Sequence, residues 1–180
     1  MSVLAGPFTI AAVLLAVGGA LKAVRPRDTA QALVAVGLRF PWYVPARAAV
    51  RIGGAVEVVV GLGALMTGGP VFAALIALSY LAFAAFVAVA LRRHAPISSC
   101  GCFGKVDTPP SIVHVVIDLG ATAVAAGAAV VGGVALPDVL ADQPLFGIPF
   151  VFLVLIGLSL VFLAFTSLPK TMAAVQEVAA

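Results

Sequence analysis

Length, composition and charge restrict the class of protein. The chain has 180 residues, of which 63% are hydrophobic and 9% charged, and its net charge is +3. A soluble domain carries about a quarter charged residues, so a water-exposed surface would have nowhere to place this much apolar area. The mean hydropathy of +1.24 suits the bilayer as solvent. Basic residues are not clustered with aromatic ones. We therefore expect an integral membrane protein, with the lipid bilayer as a partner and no nucleic acid.

Five apolar segments are long enough to cross a bilayer. Each has roughly 19 to 24 residues, against the ~20 that cross a hydrocarbon core of ~30 Å. They lack the alternation of barrel strands, so we expect helices and an all-α integral membrane protein. A single membrane domain would comprise residues 1–180, with a polar cysteine-containing loop at residues 92–110. The predicted spans are residues 4–23, 48–66, 70–91, 111–134 and 146–168.

The first segment also has features of a signal peptide. Residues 18–20 are small and would suit a cleavage region. However, the stretch from Met1 to Pro7 contains no Lys or Arg, whereas signal peptides begin with a positively charged region. We therefore expect this segment to be retained as a transmembrane helix.

The basic residues predict the orientation. If the five segments alternate, all ten fall on one side of the membrane: Lys22, Arg25, Arg27, Arg39, Arg47, Arg51, Arg92, Arg93, Lys105 and Lys170. The opposite side has a neutral turn at residues 67–69 and an acidic loop with Asp138 and Asp142. Cytoplasmic loops carry the excess of Lys and Arg. We expect a multi-pass protein of the cell membrane, with its N-terminus outside and its cysteine loop and C-terminus in the cytoplasm.

The connection between the first two spans has a pattern of its own. Asp28 to Gln31 is typical of a helix start, and the apolar run that follows is too short to cross the membrane. Trp42 and Tyr43 suit the level of the lipid headgroups. An interfacial helix, a re-entrant turn and a plain loop with anchoring aromatic residues all fit this pattern.

One acidic residue lies near the middle of the second span. Gly53, Glu57 and Gly61 are four residues apart, and small residues permit close approach of helices. A carboxylate at the bilayer centre costs at least about 2.5 kcal/mol on insertion scales. We therefore expect this face to turn inward, and Glu57 to contact the first or fourth span through Lys22 or a water molecule.

A second polar pair lies in the fourth span. Asp118 is about two turns into it, and His114 precedes Asp118 by four residues on the same helical face. Both side chains would point into the space behind the cysteine loop. A proton relay beside a redox pair and a buried polar cluster that fixes helix packing are both open. His114 also fits a residue of the membrane interface.

The chain contains two cysteines, Cys100 and Cys102, separated by Gly101. Nearby basic residues, Arg93 among them, would favour the reactive thiolate. A disulfide across one residue would close a small ring, and strained or exposed disulfides are the labile ones. Three interpretations fit: redox chemistry, binding of a soft metal ion with the help of His114, and a turn that needs small residues.

The residues around the cysteines resemble a known family. Cys100 to Gly104 follow a basic helix end, and a polar position comes about sixteen residues later, as in the MauE branch of the DoxX-like membrane proteins. Lys22, at the end of the first helix, and Glu57, in the second, agree with this. The resemblance covers about residues 5–135. It implies a four-helix transmembrane bundle with a redox-associated function, to which this chain adds a fifth C-terminal transmembrane helix.

MauE-type proteins are linked to maturation of methylamine dehydrogenase and, elsewhere, to thioredoxin-like partners. The resemblance thus implies a membrane thiol–disulfide redox protein that exchanges with a thioredoxin-like protein or supports maturation of another protein. Cys100 and Cys102 would react, and His114 and Asp118 would handle protons. A lipid quinone would be an electron acceptor by analogy with other membrane thiol oxidoreductases. Two alternatives stay open: a non-enzymatic subunit of a larger membrane complex, and a small soft-metal-binding carrier.

Overall fold

The computed structural model describes residues 3–38, 41, 44–93, 110–133 and 135–168. Within these ranges the chain forms helices and no strand. The helices are α1 (Ala5–Val24), α2 (Pro26–Ala35), α3 (Ala46–Thr67), α4 (Pro70–Arg92), α5 (Ile112–Val131), α6 (Leu136–Ala141) and α7 (Ile148–Thr166). A 3-10 turn at Pro144–Gly147 precedes α7. Cys100, Cys102, Trp42 and Tyr43 lie outside the described residues.

Five of these helices are long and apolar enough to cross a membrane, namely α1, α3, α4, α5 and α7. The expectation of an all-α integral membrane protein is therefore confirmed. Local sequence sets the tight turn between α3 and α4. Gly68 adopts a left-handed conformation with φ 64° at the end of α3, where glycine has no Cβ to clash. Pro70 then begins α4, where its missing N–H has no helical partner to lose.

Glycines join α1 to α3. A Cβ built on Gly19 would lie 2.6 Å from the carbonyl oxygen of Gly54, and one built on Gly61 would lie 2.7 Å from that of Ala12. The two backbones are thus in direct contact, which only small residues permit. Since the later residue of α1 meets the earlier residue of α3, the helices are antiparallel.

The inward face of α3 differs from the predicted one. A Cβ on Gly53 would meet nothing within 4 Å, whereas Gly54 is buried against α1. The face consists of Gly54, Glu57 and Gly61. At about 100° per residue, Gly54 and Gly61 differ by about 20° around the helix axis, whereas Gly53 and Gly61 differ by about 80°. Two residues seven apart, such as Gly54 and Gly61, therefore share one helical face. Two residues eight apart, such as Gly53 and Gly61, do not.

A buried core unites four helices. Tyr80 of α4 donates a hydrogen bond of 2.8 Å from its hydroxyl to the carbonyl oxygen of Ala11 in α1. Since Tyr80 is buried in the bilayer region, this bond satisfies its one polar atom. The core residues come from α1, α3, α4 and α5, which therefore form the bundle: Phe8, Ala11, Ala12, Leu15, Val60, Ala64, Ala73, Ile76, Tyr80, Ala125 and Ala128.

The last transmembrane helix, α7, lies outside this bundle against α1 and α5. Val154 and Phe165 are its buried residues, and most of its other large side chains are exposed. Such a surface is apolar on nearly all sides and suits contact with lipid. Before α7, residues 136–147 form the short helix α6 and a 3-10 turn, where the sequence analysis predicts no separate element.

The connection between the first two spans contains a helix, α2. Its ten residues extend about 15 Å, which is too short to cross the bilayer. It packs on α3, with Ala30 and Ala32 buried. Arg93, just beyond α4, donates a hydrogen bond from Nη1 to the carbonyl oxygen of Val36. Thus α2 is fixed between the start of α3 and the end of α4.

One end of the bundle collects the basic residues. Arg51 of α3 donates a 3.1 Å hydrogen bond from Nε to the carbonyl oxygen of Ala23, which joins the start of α3 to the end of α1. We call this end, where α4 also ends and α5 begins, the basic end. The described residues that define it are Lys22, Arg25, Arg27, Arg47, Arg51, Arg92 and Arg93. Residues 94–110, which include both cysteines, connect α4 to α5 from this end.

Candidate functional site

A buried ion pair joins α1 to α3. Lys22 Nζ faces Glu57 Oε2, and side-chain exposure is 8% for Lys22 and 14% for Glu57. The ammonium also lies 4.1 Å from the centroid of the Phe83 ring in α4, a favourable cation–π distance. Lys22 of α1 therefore lies between α3 and α4, and each of these helices supplies one group that stabilises its charge.

The glycine contacts explain how the pair forms. A Cβ built on Gly54 would lie 3.1 Å from the Cβ of Lys22, and one built on Gly19 would lie 2.7 Å from the Cβ of Glu57. Each charged residue therefore stands opposite a glycine of the other helix. Because the glycines have no side chains, the backbones approach closely and the two charges meet within the bundle.

Asp118 of α5 is a third ionisable residue at this place. It is only 4% exposed. Lys22, Glu57 and Asp118 line one cavity of about 240 Å³, together with Tyr80 and Phe83. We call these three ionisable residues the charged trio. The sequence predicts Asp118 behind the cysteine loop. It gives no sign that Asp118 shares a cavity with Lys22 and Glu57.

His114 takes a different position on α5. It is 3% exposed, and its Nδ1 lies 2.9 Å from the hydroxyl oxygen of Ser111. Its ring packs on Phe165 of α7, with the ring centroids 5.0 Å apart. The wall of the trio's cavity on α5 includes Asp118 rather than His114. His114 is therefore buried between two helices, one turn nearer the basic end than Asp118.

Lys22 and Asp118 lie in the half of the bundle next to the basic end, and Glu57 lies at the middle of α3. Lys22 is two residues from the end of α1. At about 1.5 Å per residue, Asp118 is about 9 Å along α5 from Ile112, and Glu57 is about 16 Å along α3 from Ala46. Cys100 and Cys102 belong to the connection that leaves and re-enters this same end, and their positions lie outside the described residues. Of the predicted soft-metal ligands, the structure describes His114.

A second, larger cavity lies on the other side of the ion pair. Its volume is about 690 Å³, and it is bounded by α2, α3 and α4. Lys22, Glu57 and Phe83 line both this cavity and the smaller one. The ion pair and the Phe83 ring therefore stand between the two spaces. The sequence signal for the larger cavity is Gly53, a residue without a side chain that faces open space.

The fold and these cavities define a class: a polytopic helical membrane protein with a buried charged trio beneath one basic end. Comparison with protein families gives the family. The model of methylamine utilisation protein MauE matches residues 2–133, which is most of the chain, so the chain belongs to the MauE family. The family predicted from the cysteine motif is confirmed. Comparison with curated proteins and with solved structures gave no match. The family match covers α1 to α5 and ends before α6.

Proposed function

We propose that this chain is a membrane thiol–disulfide redox protein of methylamine utilisation. Cys100 and Cys102 would exchange with a thioredoxin-like protein or support maturation of another protein. The family description supplies the biological setting. The observation that carries the proposal is the charged trio, which lines one cavity and of which Lys22 and Asp118 lie near the end that bears the cysteines.

The exchange has a defined chemistry. One cysteine thiolate attacks a sulfur of the partner's disulfide, forming a mixed disulfide and releasing one partner thiolate. The second cysteine then attacks the mixed disulfide, which closes the Cys100–Cys102 disulfide and releases the other partner thiolate. Two electrons pass to the partner. Each cysteine loses a proton and each partner thiolate gains one, so groups that hold protons near the cysteines assist both steps.

Among the described residues, groups that can hold a proton lie at increasing depth in the bundle along α5. Ser111 stands immediately before α5, and its hydroxyl meets His114 Nδ1. Asp118 follows one turn deeper, in the cavity that also contains Lys22 and Glu57. Ser111, His114 and Asp118 thus lie at increasing distance from the cysteine-bearing connection along α5, which supports a role in holding protons. In this role His114 and Asp118 are positioning and proton-transfer residues, whereas Cys100 and Cys102 react.

The charge distribution supports a proposed orientation. Basic residues of the described part of the chain lie at the basic end, while Asp138 and Asp142 belong to the connection at the opposite end. The positive-inside rule then assigns the basic end to the cytoplasm. In this arrangement the N-terminus is outside, and the cysteine loop and the C-terminus face the cytoplasm.

One further observation favours a different role. The α7 helix lies outside the four-helix core, is exposed over most of its surface, and falls beyond the family match. An added apolar helix of this kind suits attachment to other membrane proteins as well as to lipid. The second candidate function is therefore a non-enzymatic subunit of a larger membrane complex.

Trapping of a mixed disulfide tests the redox proposal. In a Cys102→Ser variant, a bond between Cys100 and a partner cannot be resolved by the second thiol. We expect a larger species on a non-reducing gel that disappears on reduction and is absent from the Cys100→Ser/Cys102→Ser variant. Full function of that double variant in cells would contradict the redox proposal and favour the subunit.

A further inference from the structure

The larger cavity is a cleft between two consecutive helices. Near their connecting turn α3 and α4 are in contact, since the Phe72 ring fills the space beside Gly63. Toward the basic end the two helices instead border the cavity of about 690 Å³. Leu33 and Val36, from α2 and its end, cover this part of the cavity. The hydrogen bond from Arg93 to Val36 holds that cover against α4.

The cleft reaches the outer surface of the transmembrane helices. Gly53 on α3 and Ala82, Ala85 and Val89 on α4 line it and are themselves exposed. These positions lie within helices that are long and apolar enough to cross the bilayer. A molecule dissolved in the lipid would therefore reach the cleft from the side, between α3 and α4.

The inner wall of the cleft carries a pair of opposite charges, and Arg93 also lines the cleft, at the basic end. The pair consists of Lys22 and Glu57. An anionic head group would be attracted by Lys22 but repelled by the carboxylate. A neutral head fits better, because a carbonyl oxygen can accept a hydrogen bond from Nζ and a hydroxyl can donate one to the carboxylate. Phe83 and Phe86 add aromatic walls suited to a planar ring.

We propose that this cleft binds a lipid-soluble quinone. Its ring would lie beside Phe83 and Phe86 with one carbonyl oxygen toward Lys22, and its apolar tail would leave between α3 and α4. The cleft volume of about 690 Å³ falls within the range that small-molecule sites occupy. The combination of lipid access, an inner ion pair and aromatic sides fits this class, and competition with phosphatidylglycerol separates it from anionic phospholipids.

The consequence for catalysis rests on the proposed function. When the exchange described above runs in the opposite direction, the Cys100–Cys102 disulfide oxidises a partner dithiol and becomes a dithiol itself. Reoxidation of that dithiol releases two electrons and two protons, and reduction of a quinone to its quinol takes up the same number of each. Lys22 and Glu57 separate the cleft from the cavity that contains Asp118. Proton-holding groups therefore lie between the cysteine-bearing end and the quinone.

A matched pair of glycine variants tests the site. Gly53→Leu would place a side chain in the cleft, and no atom lies within 4 Å of the new Cβ, so the helix packing is kept. Gly120→Leu is the control, because Gly120 of α5 is exposed, has equally open space, and does not line the cleft. The probe is decylubiquinone, titrated by calorimetry into the purified full chain in detergent. We expect about tenfold weaker binding for Gly53→Leu and a change within about twofold for Gly120→Leu.

The outcomes separate the site from the redox chemistry. The Cys100→Ser/Cys102→Ser variant should bind decylubiquinone within about twofold of the native chain, since neither cysteine lines the cleft in this proposal. No measurable binding by the native chain would overturn the quinone site, whatever the cysteines do. Equal weakening by the two glycine variants would also overturn it, as would displacement of the quinone by phosphatidylglycerol at equal concentration.

Discussion

Lys22 and Glu57 illustrate how residues that are expensive to bury become tolerable inside a bundle. Either charge alone at this depth would lack water and counter-charge, and insertion scales assign such a residue about 2.5 to 3.5 kcal/mol. As a pair beside Phe83 they are neutral together. Their contact depends on Gly19 and Gly54, which let the helices approach. The stability of the ion pair therefore depends on helix packing as well as on electrostatics.

Removal of one charge should cost more than removal of both. Glu57→Leu leaves Lys22 buried without its partner, and we expect it to lower the free energy of unfolding by about 3–5 kcal/mol. Glu57→Gln, which keeps a hydrogen-bond acceptor, should be milder. Lys22→Met/Glu57→Leu should recover most of the loss because no unpaired charge is left. Thermal unfolding in detergent measures all three. A double variant as unstable as Glu57→Leu would contradict this explanation.

Asp118 should affect the rate of exchange more than the fold. Asp118→Asn keeps nearly the same shape and still forms hydrogen bonds, but it cannot take up and release a proton. We expect thiol–disulfide exchange to slow by about a hundredfold, the lower end of what acid–base groups contribute. The rate of mixed-disulfide formation, measured by quenched alkylation, gives the effect. Thr122→Val, one turn further along α5, is the control. Equal slowing by both changes would indicate a general packing defect.

At the scale of helices, the α1–α3 contact should depend on one glycine and not on its neighbour. A Cβ at Gly54 would lie 2.5 Å from the oxygen of Gly19 and 2.8 Å from the nitrogen of Ala23, so the backbones must separate. We expect Gly54→Ala to cost about 1–3 kcal/mol of stability, the usual cost of overpacking. Gly53→Ala meets open space and should gain up to about 1 kcal/mol from helix propensity. The melting temperatures of the two variants measure this difference. A lower melting temperature for Gly53→Ala than for Gly54→Ala would contradict the assigned inward face of α3.

The sequence predicts the helices better than the way they meet. Hydrophobic length alone indicates the transmembrane helices, because a helix is the element that satisfies its backbone in lipid. The inward face of α3 is predicted one residue off at Gly53, since helical phase accumulates over two turns. That Asp118 and Lys22 line the same cavity could not be predicted, because it depends on which helices are neighbours in space. For α2, the short apolar run left helix and loop equally open.

For the whole molecule, the basic end should face the cytoplasm. In a background with both cysteines changed to serine, we expect Asp142→Cys to react with a membrane-impermeant maleimide in intact cells and Gln31→Cys to react only after lysis. Both positions are exposed, and they lie toward opposite ends of the bundle. The positive-inside rule gives this expectation. Labelling of Gln31→Cys from outside would reverse the proposed topology.

The central claim is that Cys100 and Cys102 form a reversible redox pair, and the most direct measurement is their redox state as a function of potential. Membranes containing the native chain are equilibrated in glutathione or dithiothreitol buffers, then alkylated with a maleimide of high mass and separated on a gel. We expect two thiols to be labelled under reducing conditions and none under oxidising ones. The midpoint should lie above about −300 mV, the limit below which structural disulfides fall. A pair that stays as two thiols, or as a disulfide, across the whole range of potentials would contradict the redox function.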